Sequence, residues 1–382
     1  MDFELSEEHK MIRDMARDFA QKVVAPYAAK IDEEEYFPKE VIAQAAELGF
    51  MGITIPEEYG GAGMDTLSYV LMGEEISKVC ASTAIIIGAH VSLACDPIYR
   101  FGSEYLKKKY LIPLSKGEKI GCLAVTEPGA GSDVGSVKTS AVKDGNYYVL
   151  NGNKMFISNA AEASVAVVLA VTDKSRGKRG MSMFVVETDT PGFKVGKREK
   201  KLGIKGSSTC EIVLEDVRVP KENLLGNEGD GFKIAMLTFD GGRVLVAAQA
   251  LGIAQAALDA ALKYSRERVQ FDAPLSSFQG IQWMLAEMAV EVECSRLLTY
   301  KAAWLKDKGE DFVLHASMAK LKAPTVSEFV TTRALQIHGG YGYIKDFPLE
   351  RFYRDARITQ IYEGTNEMQR LIIARYILKS VF

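Results

Sequence analysis

Hydrophobic periodicity changes twice along this chain, and that change limits the fold more than any other feature. From Leu5 to about Gly117, apolar residues recur at helical spacing, with Met11, Ile12, Met15, Phe19 and Val23 on one face. Ser6 ahead of Glu7 and Glu8 reads as an N-cap followed by an acidic first turn. Gly49, the Gly60-Gly61-Ala62-Gly63 run, Pro97 and Pro113 punctuate the later helices. From Ile120 to about Asn223 the rhythm shortens. Runs rich in Val, Ile and Phe (164–171, 183–187 and 211–219) alternate with Gly, Asn and Asp turns, and Asp144-Gly145-Asn146 reads as a hairpin turn. Helical spacing returns from Gly229, over 243–263, 278–306 and 312–337. Helices, then strands, then helices predict an α+β chain. Residues 1–119 form an N-terminal all-α domain, 120–225 a middle β-domain of barrel or sandwich type, and 226–382 a C-terminal helical bundle.

Bulk properties restrict the partners. With 382 residues, 47% hydrophobic and 25% charged, the chain is long enough to bury a sizeable core. Its 47 basic and 50 acidic residues nearly balance, and no basic block stands out, so a nucleic-acid partner has no electrostatic support. Cys80, Cys95, Cys122, Cys210 and Cys294 are scattered without a CxxC pair or a nearby histidine cluster, which predicts reduced thiols and no metal site. The opening residues are acidic where a signal peptide is basic. The most apolar stretch, Ala81 to Cys95, is interrupted by Ser82, His90 and Ser92 and is shorter than the ~18–20 residues a bilayer needs. The expectation is a cytoplasmic protein with no membrane span.

Two segments carry candidate chemistry. The first runs from Ala124 to Ser136 and places Gly129, Gly131 and Gly135 among Thr126, Ser132 and Asp133. Such a loop lets backbone approach a ligand closely and donate N–H groups. It is neither a dinucleotide fingerprint, lacking a βαβ unit, nor a phosphate loop, since no Gly-Lys-Ser/Thr follows. A plain polar connection would have the same composition. The second segment comprises Gln336-Ile-His-Gly-Gly-Tyr-Gly-Tyr343, Arg354-Asp355 and Ile361-Tyr-Glu-Gly-Thr-Asn366. A glutamate at 363, between an aromatic residue and a glycine, gains proton affinity if it is desolvated, which suits a carboxylate to proton transfer near neutral pH. Taken alone, it reads equally as a solvated loop carboxylate.

Together the two segments resemble, in order and spacing, the two signatures of the acyl-CoA dehydrogenase family, and the likeness runs from the first helix to the last residues. The resemblance implies a C-terminal four-helix bundle, an FAD cofactor, an acyl-CoA substrate, electron-transfer flavoprotein as acceptor, and a homotetramer built on the C-terminal helices. It implies Glu363 as the base that removes the α-proton while the β-hydride passes to the flavin; some relatives carry the base at the position of Gly242 instead. By match, Thr126, Ser132, Phe156, Ile157 and Ser158 contact the flavin. Phe156 stands where most relatives have tryptophan. Arg268, Phe271, Gln336 and Gly340 match contacts made to FAD from a neighbouring subunit, and Thr365 and Glu367 match positions near its adenosine. Asp272 stands where a glycine usually follows the phenylalanine. Ser132, Phe239, Asp240, Arg243, Tyr362 and Gly364 fall at substrate-CoA positions.

The acyl group stays open at this stage. Asp96, just before Pro97, lies on the helix that sets chain length, where relatives usually have an apolar or neutral residue. A carboxylate there is costly unless it is paired or used. Either it pairs with Arg100 one turn on, or it faces the substrate as a contact or second base. The second case resembles family members acting on alicyclic ring acyl-CoAs, including those performing a 1,4-elimination. A short straight chain such as butyryl-CoA fits equally; an acyl-CoA oxidase, a flavin-binding assembly factor of the same fold and a non-enzymatic helical scaffold are the alternatives.

Overall fold

The computed structural model describes residues 4–379. The first helix, Glu7–Phe19, is capped by Ser6, whose hydroxyl accepts the His9 N–H at 3.2 Å. Its buried face is Ile12, Ala16 and Phe19, while Met11 is 71% exposed. The apolar stripe is therefore narrower than the sequence suggests, because Met11 is rotated off the i, i+4, i+7 line that faces the core. The helices Thr66–Ser77 and Ala81–Ala89 are buried nearly all round. The latter runs through a π-helical stretch, His90–Cys95, into Asp96–Phe101. The apolar helix thus extends beyond Cys95. Ala81–Phe101 spans 21 residues and passes a length-and-composition test for a bilayer span, as does Gly231–Glu267. In the fold the most apolar 18-residue windows of these helices are 89% and 78% buried, as in core helices.

The middle region is one eight-stranded sheet: β1 (Gly121–Ala124), β2 (Ser140–Asp144), β3 (Tyr147–Ser158), β4 (Val165–Val171), β5 (Met181–Glu187), β6 (Phe193–Arg198), β7 (Thr209–Pro220) and β8 (Leu224–Leu225). The order is β6-β7-β3-β2-β4-β5-β8, with β1 parallel to β4. Its two halves meet through a single residue pair, Ser140 with Val171. The anticipated hairpin joins β2 to β3 with Asp144 opposite Tyr147, and Gly145 supplies the positive φ of 58° that the turn needs. β4 reads as a continuous apolar run because both of its faces are buried. Val165, Val167, Leu169 and Val171 pack on the helical side, and Ala166, Val168 and Ala170 into the sheet interior.

The C-terminal region is built on three long helices, Gly231–Glu267, Gln279–Asp307 and Val313–His338, with Asn366–Lys379 packed against the third. The first begins twelve residues earlier than the apolar spacing over 243–263 anticipates. Small residues line the contact: Ala247, Ala248 and Ala250 meet Ala302, Ala316, Ala319 and Ala323. They let the helix axes approach closely. This matters because Lys320 emerges from the same alanine-lined face.

Candidate active site

The helix Leu349–Ile358 ends in a turn that delivers Glu363 and Gly364, and Thr365 then caps the next helix by accepting the Met368 N–H at 3.3 Å. Glu363 sits at φ 51° and Gly364 at φ 94°. A left-handed backbone is strained for a glutamate and persists only where the surroundings hold it. The residue as a whole is partly exposed, yet its Oε2 is shut off from solvent and has no hydrogen-bond partner. Facing it on the Gly231–Glu267 helix is Gly242, where an added Cβ would lie 2.0 Å from that oxygen. A side chain at 242 would therefore displace the Glu363 carboxylate from this position. Burial raises the Glu363 carboxyl to about 7, against the opposing pull of Lys320 and Arg243.

Three neighbours define this corner. Arg243 is buried, paired with Asp240, and leaves its Nε without a partner; burial lowers the Arg243 pKa and raises that of Asp240. Tyr362 donates its hydroxyl to Gln249, whose amide donates to the Ala81 carbonyl at 3.0 Å. Lys320 is fully buried and donates to the Gly364 carbonyl at 2.6 Å. Of the predicted CoA positions, Asp240, Arg243, Tyr362 and Gly364 thus converge on Glu363. Phe239 packs one turn away against the cluster holding Val125 and Ala130, and Ser132 is exposed on the opposite loop.

That loop is held from beneath. Thr126 accepts the Met155 N–H at 2.9 Å, and Glu127 and Ala130 exchange two backbone bonds at 3.0 Å. The Glu127 carboxylate accepts from the Lys138 and Thr139 amides (2.7 and 2.9 Å), from the Thr139 hydroxyl and from Lys154 Nζ (2.9 Å). Gly129 and Gly131 face open space, with no atom within 4 Å of an added Cβ. A bulge in β3 between Lys154 and Ile157 turns Lys154 and Ile157 inward and leaves Phe156 at φ 59° and 59% exposed. Ile157 is buried in the sheet core and has only its backbone left to offer a ligand, and Ser158 is half-buried beside it.

The remaining predicted contacts lie apart. Gln270 pairs with Ala273 across a two-residue turn in which Phe271 and Asp272 both have positive φ (51° and 58°). Aspartate tolerates that geometry, so the missing glycine does not alter the turn. Phe271 projects 90% exposed. Arg268 and Gly340 share a cleft of about 480 Å³ with Tyr264, Gln270, Leu275 and Ile337. Gln336 instead lines an adjoining cleft with Trp283 and Arg333. Thr365 is engaged as a cap, and exposed Glu367 pairs with Arg370 at 3.1 Å. Asp96 accepts from Arg100 at 3.4 Å, and the same Arg100 nitrogen reaches the Leu237 carbonyl at 3.4 Å. Phe156 with the open glycine loop, and Phe271 with the Arg268 cleft, each offer an exposed ring beside open or cationic surface, which suits a ligand with aromatic and anionic parts.

Family models described as the N-terminal, middle and C-terminal domains of acyl-CoA dehydrogenase match residues 6–118, 122–217 and 229–378. The chain belongs to the acyl-CoA dehydrogenase family. It is 51% identical to the short-chain-specific acyl-CoA dehydrogenase of Clostridium acetobutylicum over 99% of this chain and 100% of that one. Its fold matches the butyryl-CoA dehydrogenase of Megasphaera elsdenii at a TM-score of 0.97 and 48% identity, covering 99% of this chain and 100% of that one. It also matches PigA with FAD and proline at a TM-score of 0.96 and 32% identity, over 99% of each chain. This acyl-CoA dehydrogenase is an oxidoreductase with FAD as its cofactor. Sequence reasoning passed over Lys320, Lys154 and Glu127. A lysine on the stripe formed by Ala316, Ala319 and Ala323 was the available signal for the first, and for the other two only the fold reveals the pairing.

Proposed function

We propose that the chain oxidises a short, straight acyl-CoA to the 2-enoyl-CoA, with Glu363 removing the α-proton. The observation that carries this reading is the Glu363 carboxylate itself: enclosed, partnerless at Oε2, on strained backbone, and raised to about 7 by burial. A base with that proton affinity is matched to a neutral working pH. The Glu363 backbone N–H holds the thioester carbonyl and so acidifies the α-carbon. FAD, when bound, supplies the hydride acceptor. Thr126, Ser132, Phe156, Ile157 and Ser158 hold its ring system, while Arg268, Phe271, Gln336 and Gly340 reach the FAD of a neighbouring subunit in a homotetramer, with Thr365 and Glu367 near its adenosine. Electron-transfer flavoprotein reoxidises the enzyme.

Asp96 supports the straight-chain choice. Its carboxylate is engaged by Arg100, whereas a second base in a ring-acyl pocket needs a free carboxylate, and Glu363 is retained for ordinary α,β-desaturation. The test is anaerobic flavin bleaching with butyryl-, octanoyl- and cyclohexanecarboxyl-CoA. Fast bleaching by butyryl-CoA that is abolished in Glu363→Gln is the expected result. Bleaching by the ring thioester alone would transfer the substrate role to Asp96.

A further inference from the structure

Lys320 is the one fully buried lysine in the C-terminal helices, and it makes no ion pair among the described residues. Its ammonium donates to the carbonyl of Gly364 at 2.6 Å, and Gln369 Nε2 donates to the same oxygen at 2.9 Å. That carbonyl belongs to the residue following Glu363, inside the pair of consecutive positive-φ residues. Two donors from two different helices thus grip the peptide that fixes where the carboxylate points. The other nearby cation, Arg243, is paired with Asp240 and only shares its charge with Glu363, whereas Lys320 has no carboxylate at ion-pair distance among the described residues.

We propose that Lys320 is a positioning residue for the base: it locks the Glu363–Gly364 peptide and supplies the charge that keeps the Glu363 carboxylate ionised within its enclosed corner. The inference rests on Glu363 being the base. The charged and titratable groups facing this corner are Arg243 and Asp240 on the Gly231–Glu267 helix, Glu367 and Tyr376 on Asn366–Lys379, and Tyr362 in the turn. Tyr69 and Asp96 complete the set from the N-terminal helices, with Tyr69 feeling both Glu363 and Asp96. Burial lowers Lys320 to about 7, with Glu363 pulling it back up, so lysine and glutamate titrate as a coupled pair. Removing the lysine charge leaves Arg243 as the remaining pull against burial, and the proton affinity of the carboxylate rises.

The experiment uses the holoenzyme with butyryl-CoA and follows the anaerobic bleaching rate against pH in four variants. Lys320→Met removes donor and charge, Lys320→Gln keeps a donor but removes the charge, Gln369→Met removes the second donor to the Gly364 carbonyl, and Glu363→Gln controls for the base. An infrared titration of the Glu363 carboxyl band, assigned by its loss in Glu363→Gln, gives a readout independent of turnover. In both Lys320 variants the acid-side midpoint and the infrared midpoint move up together by at least about one pH unit, so that below the native midpoint the rate falls roughly tenfold. Gln369→Met lowers the plateau rate and leaves the midpoint in place. An unmoved midpoint in both Lys320 variants overturns the inference while leaving the base assignment intact. Full bleaching in Glu363→Gln overturns the base assignment itself, whatever the lysine variants do.

Discussion

Two glutamates with enclosed carboxylate oxygens, each close to a buried lysine, are treated in opposite ways. In the sheet region Glu127 accepts from four donors, and Lys154, itself fully buried, sits 2.9 Å away. Burial alone pushes the Glu127 carboxyl up, but the combined pull of Lys154, Thr139 and Lys138 brings it below its ordinary value. In the helical corner Glu363 has a partnerless oxygen, its lysine bonds to the neighbouring carbonyl instead, and burial carries the carboxyl up to about 7. The same residue types produce a saturated clamp in one place and an unsatisfied base in the other. What separates them is whether the donors reach the carboxylate or the peptide beside it. A base has to be left short of hydrogen bonds so that its proton affinity suits transfer, and fixed by something else so that it stays aimed.

The largest effect that could break the comparison is on rate. Glu363→Gln is expected to lower flavin reduction by butyryl-CoA at least about a thousandfold, the upper part of what general-base catalysis contributes, as measured by stopped-flow bleaching. In the native enzyme the rate should rise with pH through about 7, as Glu363 loses its proton. A flat profile across that region would put the working base elsewhere.

Next in size is the clamp. Glu127→Ala leaves Lys154 buried and unpaired, a change expected to cost about 3–5 kcal/mol, read as a lower unfolding midpoint of the holoenzyme. The double variant Glu127→Leu/Lys154→Met removes both charges and should recover most of that loss. If the double variant is no better than the single one, the clamp's hydrogen bonds to Lys138 and Thr139 matter more than its ion pair.

Glu363 is expected to show the opposite stability signature. Its folded pKa, about 7, lies above the ordinary 4.5. The stability this group contributes is therefore fully present below the unfolded value and is lost as pH rises through about 7. Glu363→Gln escapes that loss, so it should be more stable than the native chain by roughly 1–3 kcal/mol at pH ~8 and nearly equal to it at pH ~4. Denaturant midpoints at the two pH values check the sign. A destabilised Glu363→Gln at the higher pH would mean that the carboxylate has a partner after all.

The two regions were not equally legible from sequence. The order of helices and strands follows from apolar spacing, and strands such as Val165–Val171 and Thr209–Pro220 were anticipated within a residue or two, because burial on both sheet faces writes a continuous apolar run and burial on one face an alternation. Glu363 stood out only through its neighbours in a long signature. Its closed-off oxygen lies against Gly242, 121 positions earlier, and no local pattern encodes such a meeting. Lys320 was invisible for a related reason: a lysine on an exposed helix face and one gripping a distant carbonyl look alike until the helices are packed. Met11 failed in the other direction, since an apolar residue one step off the stripe still counts as apolar in a spacing argument.

The smallest prediction separates backbone strain from charge. Glu363 combines both, whereas Asp272 shares the left-handed backbone at φ 58° but is exposed on a turn. Asp272→Ala retains the required φ without aspartate's tolerance for it and is expected to cost about 1 kcal/mol, while Asp272→Gly should be neutral or slightly stabilising. Both are measured by thermal midpoint with the flavin bound, since the turn also presents Phe271. A cost for Asp272→Ala well above that scale would mean that the aspartate carboxylate itself holds the turn. The strain at Glu363 would then have to be reckoned from the peptide's own anchors, Lys320 and Gln369, and not carried over from a surface turn.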